Sequence, residues 1–160
     1  MVKYVYLITV NCLLLLFFIS CRTHQKDDYF CTKTTSKSYI SKKVRRLIYK
    51  DQLYRSKITK NNTGMVADSL LKLQKKIDVE NTKQLITLMN SKCYQKYGIN
   101  DSVPYFLIFA HSPKEFKNQI FPIIKNELKK GKLPVLQYDF VMWHLNGRIK
   151  APFKIEINDK

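Results

Sequence analysis

The sequence predicts a mainly α-helical protein, a compact bundle of about five to six helices. Apolar residues recur every three or four positions along most of the chain after Ser38, which is the spacing of amphipathic helices. Several of these stretches end close to single glycines, Gly98, Gly131 and Gly147, which are typical helix stops. About 140 residues remain after a predicted leader is removed, which is enough for one modest domain.

The first 20 residues have the features of a secretory leader. Lys3 is the only charge before Arg22, and an apolar stretch runs from Tyr4 to Ile19. That stretch is shorter than the ~20 apolar residues that cross a bilayer. A positive start, a short apolar run and a small residue, Ser20, at its end are typical of a signal peptide. Residues 1–20 are therefore predicted to be removed.

The residue after the leader is Cys21. The tetrapeptide Phe-Ile-Ser-Cys that ends there resembles the lipobox of bacterial lipoproteins. The resemblance implies cleavage before Cys21, a diacylglycerol on its sulfur, a further acyl chain such as palmitate on its amine, and the lipid bilayer as partner. Lys26-Asp27-Asp28 is similar to a tag of surface-exported lipoproteins, which implies the bacterial outer membrane, on its periplasmic or surface face. An uncleaved anchor, or an ordinary leader with a chance cysteine, remains the alternative.

The next segment is predicted to be a linker. Residues 22–37 are rich in Thr, Ser and Lys and show no apolar periodicity, which is typical of a flexible tether. The chain is thus divided into a leader, 1–20, a lipidated tether, 21–37, and a single helical domain, 38–160.

Three helices are predicted in the first half of the domain. The first runs from Ser38 to about Ile58, and residues 61–64, Asn-Asn-Thr-Gly, end it. The second covers about Val66–Lys76. The third begins at Asp78 as its N-cap and stops before Gly98.

Further helices are predicted in the second half. The apolar run 105–111 is either a helix or a buried strand. Residues 112–115, Ser-Pro-Lys-Glu, form a capping-box pattern that starts the next helix, which ends at Gly131. A final helix covers about Pro134–Leu145, and residues 154–157 could add a short edge strand.

Composition excludes several classes of function. The chain has 29 basic and 12 acidic residues, a net charge of +17. The lysines are scattered and outnumber the arginines, and no nucleic-acid motif occurs, so a solvated surface is expected and no nucleic-acid partner. The glycines stand singly, and His24, His111 and His144 are dispersed, so no phosphate loop, cofactor or metal site is predicted. Nothing indicates an oligomer.

Two cysteines remain after the leader and the lipid site are set aside. Cys31 and Cys93 form a disulfide in one interpretation, because pairs outside the cytoplasm often do. In the other they are unpaired thiols, with Cys93 acting as a small apolar residue on a helix.

Several polar residues fall within apolar helix faces. At about 100° per residue, Asp51 and Arg55 lie in the middle of the first helix's apolar stripe, spaced i and i+4. Asp139 lies among apolar neighbours in the last helix, and His111 shares a side with apolar residues of its run. A buried charge is costly unless paired. We therefore expect Asp51, Arg55, His111 and Asp139 to form one cluster.

The third helix adds two candidates, Asp78 and Asn81, at the edge of its apolar side. Taken together, the polar residues resemble the landmarks of the family called domain of unknown function 6624, over roughly residues 45–147. The matching positions are Asp51-Gln52-x-x-Arg55, Asp78-x-x-Asn81-x-x-x-Leu85, His111, Pro122 and Asp139. The chain departs from the family at Ala110 and Phe140, and after Gly147. The resemblance implies no established activity.

Three functions are compatible with these residues. The first is a lipid-anchored binding or interaction domain whose protein or glycan partner is unknown, with Gln52, Asp78 and Asn81 as candidate ligand contacts. The second is a hydrolase-like enzyme with His111 as general base, Asp51 or Asp139 orienting it, and Arg55 holding an anionic group. The third is binding of an acidic polymer, which requires the basic residues to converge on one surface.

Overall fold

The computed structural model describes residues 35–60 and 65–149, which form six α-helices and one 3-10 turn. In chain order the elements are α1 (Lys37–Lys60), α2 (Met65–Met89), α3 (Lys92–Tyr97), α4 (Phe106–Ala110), the 3-10 turn (Lys114–Phe116), α5 (Lys117–Lys129) and α6 (Val135–Leu145). These residues contain no strand, so the predicted mainly α fold is confirmed. The leader, nearly all of the tether and the strand expected at 154–157 lie outside them.

The core of the bundle is formed by apolar side chains from all six helices and from the connections between them. α1 packs along α2, and α4 packs against α6. The largest fully buried side chain is that of Phe109 of α4. The same buried cluster contains aliphatic side chains of other helices, among them Ile40, Val44, Leu85, Ile120, Ile124 and Val141.

The first helix follows its apolar spacing closely. Ile40, Val44 and Leu47 are buried, as the three-and-four spacing predicts. The hydroxyl of Ser36 accepts a hydrogen bond from the Tyr39 amide at 3.2 Å, so Ser36 caps the start of α1.

The second and third predicted helices are one continuous helix, which corrects the boundary placed at Asp78. α2 runs through from Met65 to Met89, so Asp78 is interior and does not act as an N-cap. No glycine or proline interrupts this stretch. The Asp78 carboxylate is engaged by Arg55 and Gln74, which removes it from competition for backbone amides.

The helix break falls instead at Ser91. Its hydroxyl accepts a hydrogen bond from the Tyr94 amide at 3.2 Å and caps the short α3. α3 ends at Gly98, whose φ of +66° lies in the left-handed region. Cys93 is therefore on this short helix and not on the long one.

The predicted capping box at residues 112–115 is wrong. The Ser112 hydroxyl points inward and donates to the Ile108 carbonyl at 2.9 Å, and Glu115 is exposed. Pro113 precedes a 3-10 turn that leads directly into α5. The ambiguous run 105–111 forms the helix α4, which the Ser112 hydrogen bond closes.

The last helix lies within one residue of its predicted bounds. Gly131, at φ +68°, ends the turn after α5, and Pro134 precedes the first residue of α6. No helix in the described part of the chain combines the length and apolar character needed to cross a bilayer.

Candidate functional site

The centre of the candidate site is a carboxylate in the apolar face of α1. Asp51 is only 1% exposed. Arg55, one turn later, reaches it with Nη2 at 3.3 Å from Oδ1 and Nε at 3.4 Å from Oδ2. A charge buried among aliphatic side chains needs such a partner, so the pair explains how α1 can pack with Asp51 inside.

The second contact to Asp51 comes from the residue that ends α4. The Nδ1 atom of His111 lies 2.8 Å from Asp51 Oδ2. Gln52 donates from its amide nitrogen to the same oxygen at 2.7 Å. His111 is held at the helix end by the hydrogen bond from its backbone amide to Leu107. The end of α4 thus places the His111 ring next to α1.

Helix α2 supplies a second carboxylate through Arg55. Arg55 Nη2 donates to Asp78 Oδ1 at 2.6 Å, so one guanidinium bridges two carboxylates. Gln74, one turn before Asp78, donates to the same oxygen at 2.7 Å. The carbonyl oxygen Oε1 of Gln74 is buried and has no hydrogen-bond partner among the residues that the structure describes. Such an acceptor is rare in native structures and would be satisfied by a water or a ligand.

Two polar contacts beside this cluster fix the helices around it. Asn81 donates from Nδ2 to the Leu47 carbonyl at 3.0 Å, which ties α2 to α1. The hydroxyls of Thr82 and Ser112 lie 2.7 Å apart, which ties α2 to the end of α4. The Asn81 side chain therefore binds the backbone of α1 and is buried.

The two carboxyl groups are shifted in opposite directions. Burial alone would raise the pKa of Asp51, but the hydrogen bonds and charges of His111 and Arg55 lower it below its ordinary value. Burial raises the pKa of Asp78, and the contacts from Gln74 and Arg55 do not fully offset this effect. Asp51 is thus the more firmly ionised of the pair.

Helix α6 contributes a histidine and not the predicted aspartate. The rings of His111 and His144 are 6.4 Å apart in an edge-to-face arrangement. His144 Nδ1 lies 3.0 Å from the Phe140 carbonyl, so it donates there. Burial lowers the pKa of His144. Asp139 is half-buried and forms no ion pair or hydrogen bond within the described residues, so the prediction that it joins the cluster is wrong.

The arrangement resembles a general-base pair in its chemistry. With Nδ1 directed at Asp51, the other ring nitrogen of His111, Nε2, is left to accept a proton. Arg55 is neutralised between two carboxylates, which weakens it as an anchor for an anionic substrate. His111 is 17% exposed, and neither of the two clefts described on the surface is lined by Asp51, Arg55 or His111. The described residues offer no group of three side chains suited to a metal ion.

The structure brings together five of the sequence candidates: Asp51, Gln52, Arg55, Asp78 and His111. Gln74 and His144 were missed as members of the cluster. Gln74 carries a local signal, because it lies four residues before Asp78 on one helix. The position of His144 beside His111 depends on how α6 packs, which no local pattern reports.

The cysteines are only partly covered by the described residues. Cys93 is fully buried and disulfide-bonded. Its partner lies outside these residues, as do Cys21 and Cys31. The pairing of Cys31 with Cys93 and the lipidation of Cys21 therefore stay predictions.

In comparisons with known proteins, no family model, curated protein or solved structure matches this chain. The resemblance to domain of unknown function 6624 therefore stays a prediction based on the residues quoted above.

Proposed function

We propose that this chain is a lipid-anchored protein of the bacterial envelope whose helical domain binds the anionic surface of the membrane that holds it. The proposal joins the lipobox-like Cys21 to one observation, the exposed cationic face of α1. Catalysis is the second candidate, because the polar cluster opens onto neither described cleft.

The cationic face of α1 consists of five exposed basic residues, Lys42, Arg45, Arg46, Lys50 and Lys57. At about 100° per residue they share an arc of about 140° on the helix. Two tyrosines lie in the same arc, Tyr39 at 51% and Tyr49 at 67% exposure. The single acidic residue of α1, Asp51, is buried on the opposite side. Three lysines and two arginines of α1 thus share one surface.

The sequence position of this face favours the membrane as partner. Only fifteen residues, 22–36, separate Cys21 from the start of α1. Fully extended, they span at most about 50 Å, so an acylated Cys21 keeps the face near the bilayer. A lysine or arginine near an anionic surface contributes about 1 kcal/mol, and exposed tyrosines favour the interface. The disulfide at Cys93 is consistent with an exported protein.

A vesicle-binding experiment tests this proposal. The chain from residue 22 onward, without lipid, is mixed with phosphatidylglycerol-containing or purely phosphatidylcholine vesicles and sedimented. We expect binding to the anionic vesicles only, weakened by salt because the attraction is screened. The triple variant Lys42→Glu, Arg46→Glu, Lys50→Glu should lose at least about tenfold in affinity.

The matched control carries the same charge change on another helix. Lys72→Glu, Lys76→Glu and Lys83→Glu alter exposed residues of α2 by the same six units of charge. Retained binding in this control supports the α1 face. An equal loss of vesicle affinity in both triple variants would mean that binding depends on the net charge of the protein alone. Tighter binding to soluble polyglutamate than to vesicles would indicate that the partner is an acidic polymer and not the membrane.

A hydrolytic activity is supported by a different observation, the 2.8 Å contact between His111 and Asp51. His111 would take a proton from water, and Asp51 would hold the ring and stabilise its charged form. p-Nitrophenyl acetate and bis-p-nitrophenyl phosphate are suitable probes. Turnover that Asp51→Asn and His111→Gln abolish and Asp139→Asn leaves intact would establish this function. Turnover unchanged in His111→Gln would dismiss it.

A further inference from the structure

A second site lies away from the polar cluster, in a cleft between the C-terminal part of α2, α3 and α5. Its volume is about 660 Å³, within the usual range for small-molecule sites. None of the sequence candidates lines it. The cleft therefore needs an explanation of its own.

The lining of the cleft is divided between an apolar floor and a polar rim. Ile86, Met89 and Ile123 are buried and form the floor. Four exposed carboxamide side chains stand around them, those of Asn90, Gln95, Gln119 and Asn126. Each carboxamide offers both a donor and an acceptor, so the rim can pair with a ligand that carries many hydroxyl groups.

The cleft also contains a buried carboxylate. Glu127 is 1% exposed and accepts a hydrogen bond from the Tyr94 hydroxyl. Burial and then the adjacent Glu127 raise the pKa of Tyr94, so the phenol keeps its proton and donates. Lys130 Nζ lies 3.5 Å from the other carboxylate oxygen. The remaining lone pairs of Glu127 can only accept, so they suit a hydroxyl donor on a ligand.

The charge of the cleft is balanced although the chain as a whole carries +17. Glu127 is the one acidic and Lys130 the one basic residue among those that line it. A balanced site gives no net attraction to an anion or a cation. The ligand is therefore expected to be neutral.

The backbone of the cleft argues against an extended peptide as ligand. The lining residues lie in helices, apart from Asn90 and Lys130, whose amides donate to the carbonyls of Ile86 at 3.1 Å and Asn126 at 3.0 Å. A peptide that binds as an added strand needs a free backbone edge, and helices offer none. We propose that this cleft binds a neutral saccharide, with its apolar face on the floor and its hydroxyls on the carboxamide rim and Glu127.

Titration with neutral trisaccharides, followed by NMR of the side-chain amides, tests the proposal. The probes are chitotriose, cellotriose and maltotriose, with trialanine amide for comparison, each up to about 10 mM, which exceeds a Kd of about 1 mM tenfold. We expect at least one sugar to give saturable shifts at the rim carboxamides. Gln119→Ala and Asn126→Ala should each weaken that binding about tenfold, the loss of roughly one good hydrogen-bonded contact.

Asn118→Ala is the control, because Asn118 is exposed on the same helix but does not line the cleft. Equal losses in Asn118→Ala and Gln119→Ala would overturn the assignment to this cleft. Tighter binding of trialanine amide than of any sugar, or no saturable shift with all three sugars, would overturn the ligand class. These outcomes are independent of vesicle binding, which is measured on α1.

Discussion

His111 Nδ1 lies 2.8 Å from Asp51 Oδ2, although 60 residues separate the two in the sequence. The contact joins the end of α4 to the middle of α1. Because Asp51 also binds Arg55, and Arg55 binds Asp78, the same network reaches α2. Removal of Asp51 should therefore affect the packing of three helices.

Asp51→Ala is expected to lower the free energy of unfolding by about 2–3 kcal/mol, because His111 and Arg55 each lose a buried acceptor. Arg55 keeps Asp78, which limits the loss. Urea denaturation measures the change. Asp139→Ala is the control and should change stability by less than about 0.5 kcal/mol, because Asp139 is half-buried and unpaired among the described residues. Equal effects of the two substitutions would contradict the network.

Stability should fall as the pH is lowered from neutrality through the range where His144 titrates. Burial holds the pKa of His144 below its ordinary value of 6.5, so the unfolded chain binds its proton first. The contribution of neutral His144 to the free energy of unfolding is fully present above pH 6.5. It is lost as the pH falls toward the pKa of His144 in the folded state. Chemical denaturation at several pH values measures this slope.

His144→Gln cannot titrate and should flatten that part of the pH profile. Asp51 adds a second loss at lower pH, below its ordinary value of 3.8, because its pKa is lowered in the folded state. Asp78 acts in the opposite direction and at higher pH, above 3.8, because its pKa is raised in the folded state. A slope between pH 7 and 5 that His144→Gln leaves unchanged would contradict the assignment to His144.

Tyr94→Phe is expected to destabilise the fold by about 1–3 kcal/mol. It removes the hydroxyl that donates to the buried Glu127, and the remaining contact to Lys130 is long. Thermal unfolding measures the loss. Tyr97→Phe, three residues later on α3, removes a hydroxyl that forms no hydrogen bond within the described residues and should have little effect. A similar loss in both variants would indicate that Glu127 does not depend on Tyr94.

Cys21 is expected to be the mature N-terminus. Intact-mass analysis of the membrane fraction should find residues 1–20 absent and acyl mass added. Cys21→Ala should yield an unprocessed or soluble protein. An unmodified chain that begins at Met1 in wild-type membranes would refute the prediction.

Cys31 is expected to be the disulfide partner of Cys93. Peptide mapping without reduction should recover the two cysteines in one linked peptide. Closing a loop of about 60 residues stabilises a fold by about 4 kcal/mol in the chain-entropy account, so reduction should lower the melting temperature. Cys31→Ser should lower the melting temperature before reduction and make it insensitive to reductant. Linkage of Cys93 to another cysteine would contradict the pairing.

The 3.6-residue period of an α-helix was enough to predict the part of the site that lies on α1. Asp51 and Arg55 fall inside the apolar stripe at adjacent turns, so their burial and pairing follow from local geometry. Glu127 was missed, although by the same criterion it lies between Ile123, Ile124 and Leu128 on α5.

The same period could not predict which face is buried in a helix that is apolar on all sides. α6 reads Val-Leu-Gln-Tyr-Asp-Phe-Val-Met-Trp-His-Leu, so its sequence does not select one buried face. Val135 and Leu136, both apolar, are 64% and 62% exposed. The rotation of α6 is set by its packing on α4, and that rotation turns His144 toward His111. The error at Asp139 has this cause.

The unbroken course of α2 sets a constraint on how this protein can vary. One 25-residue rod carries Asp78 toward α1 and, further along, Ile86 and Met89 into the cleft. Inserting or deleting a single residue between Val79 and Leu85 would twist the two ends by about 100° relative to each other. A change of seven residues, about two turns, nearly restores the phase but shifts the two ends by about 10 Å along the helix axis. Homologues should therefore differ in length in their connecting segments and keep the spacing from Asp78 to Ile86 fixed.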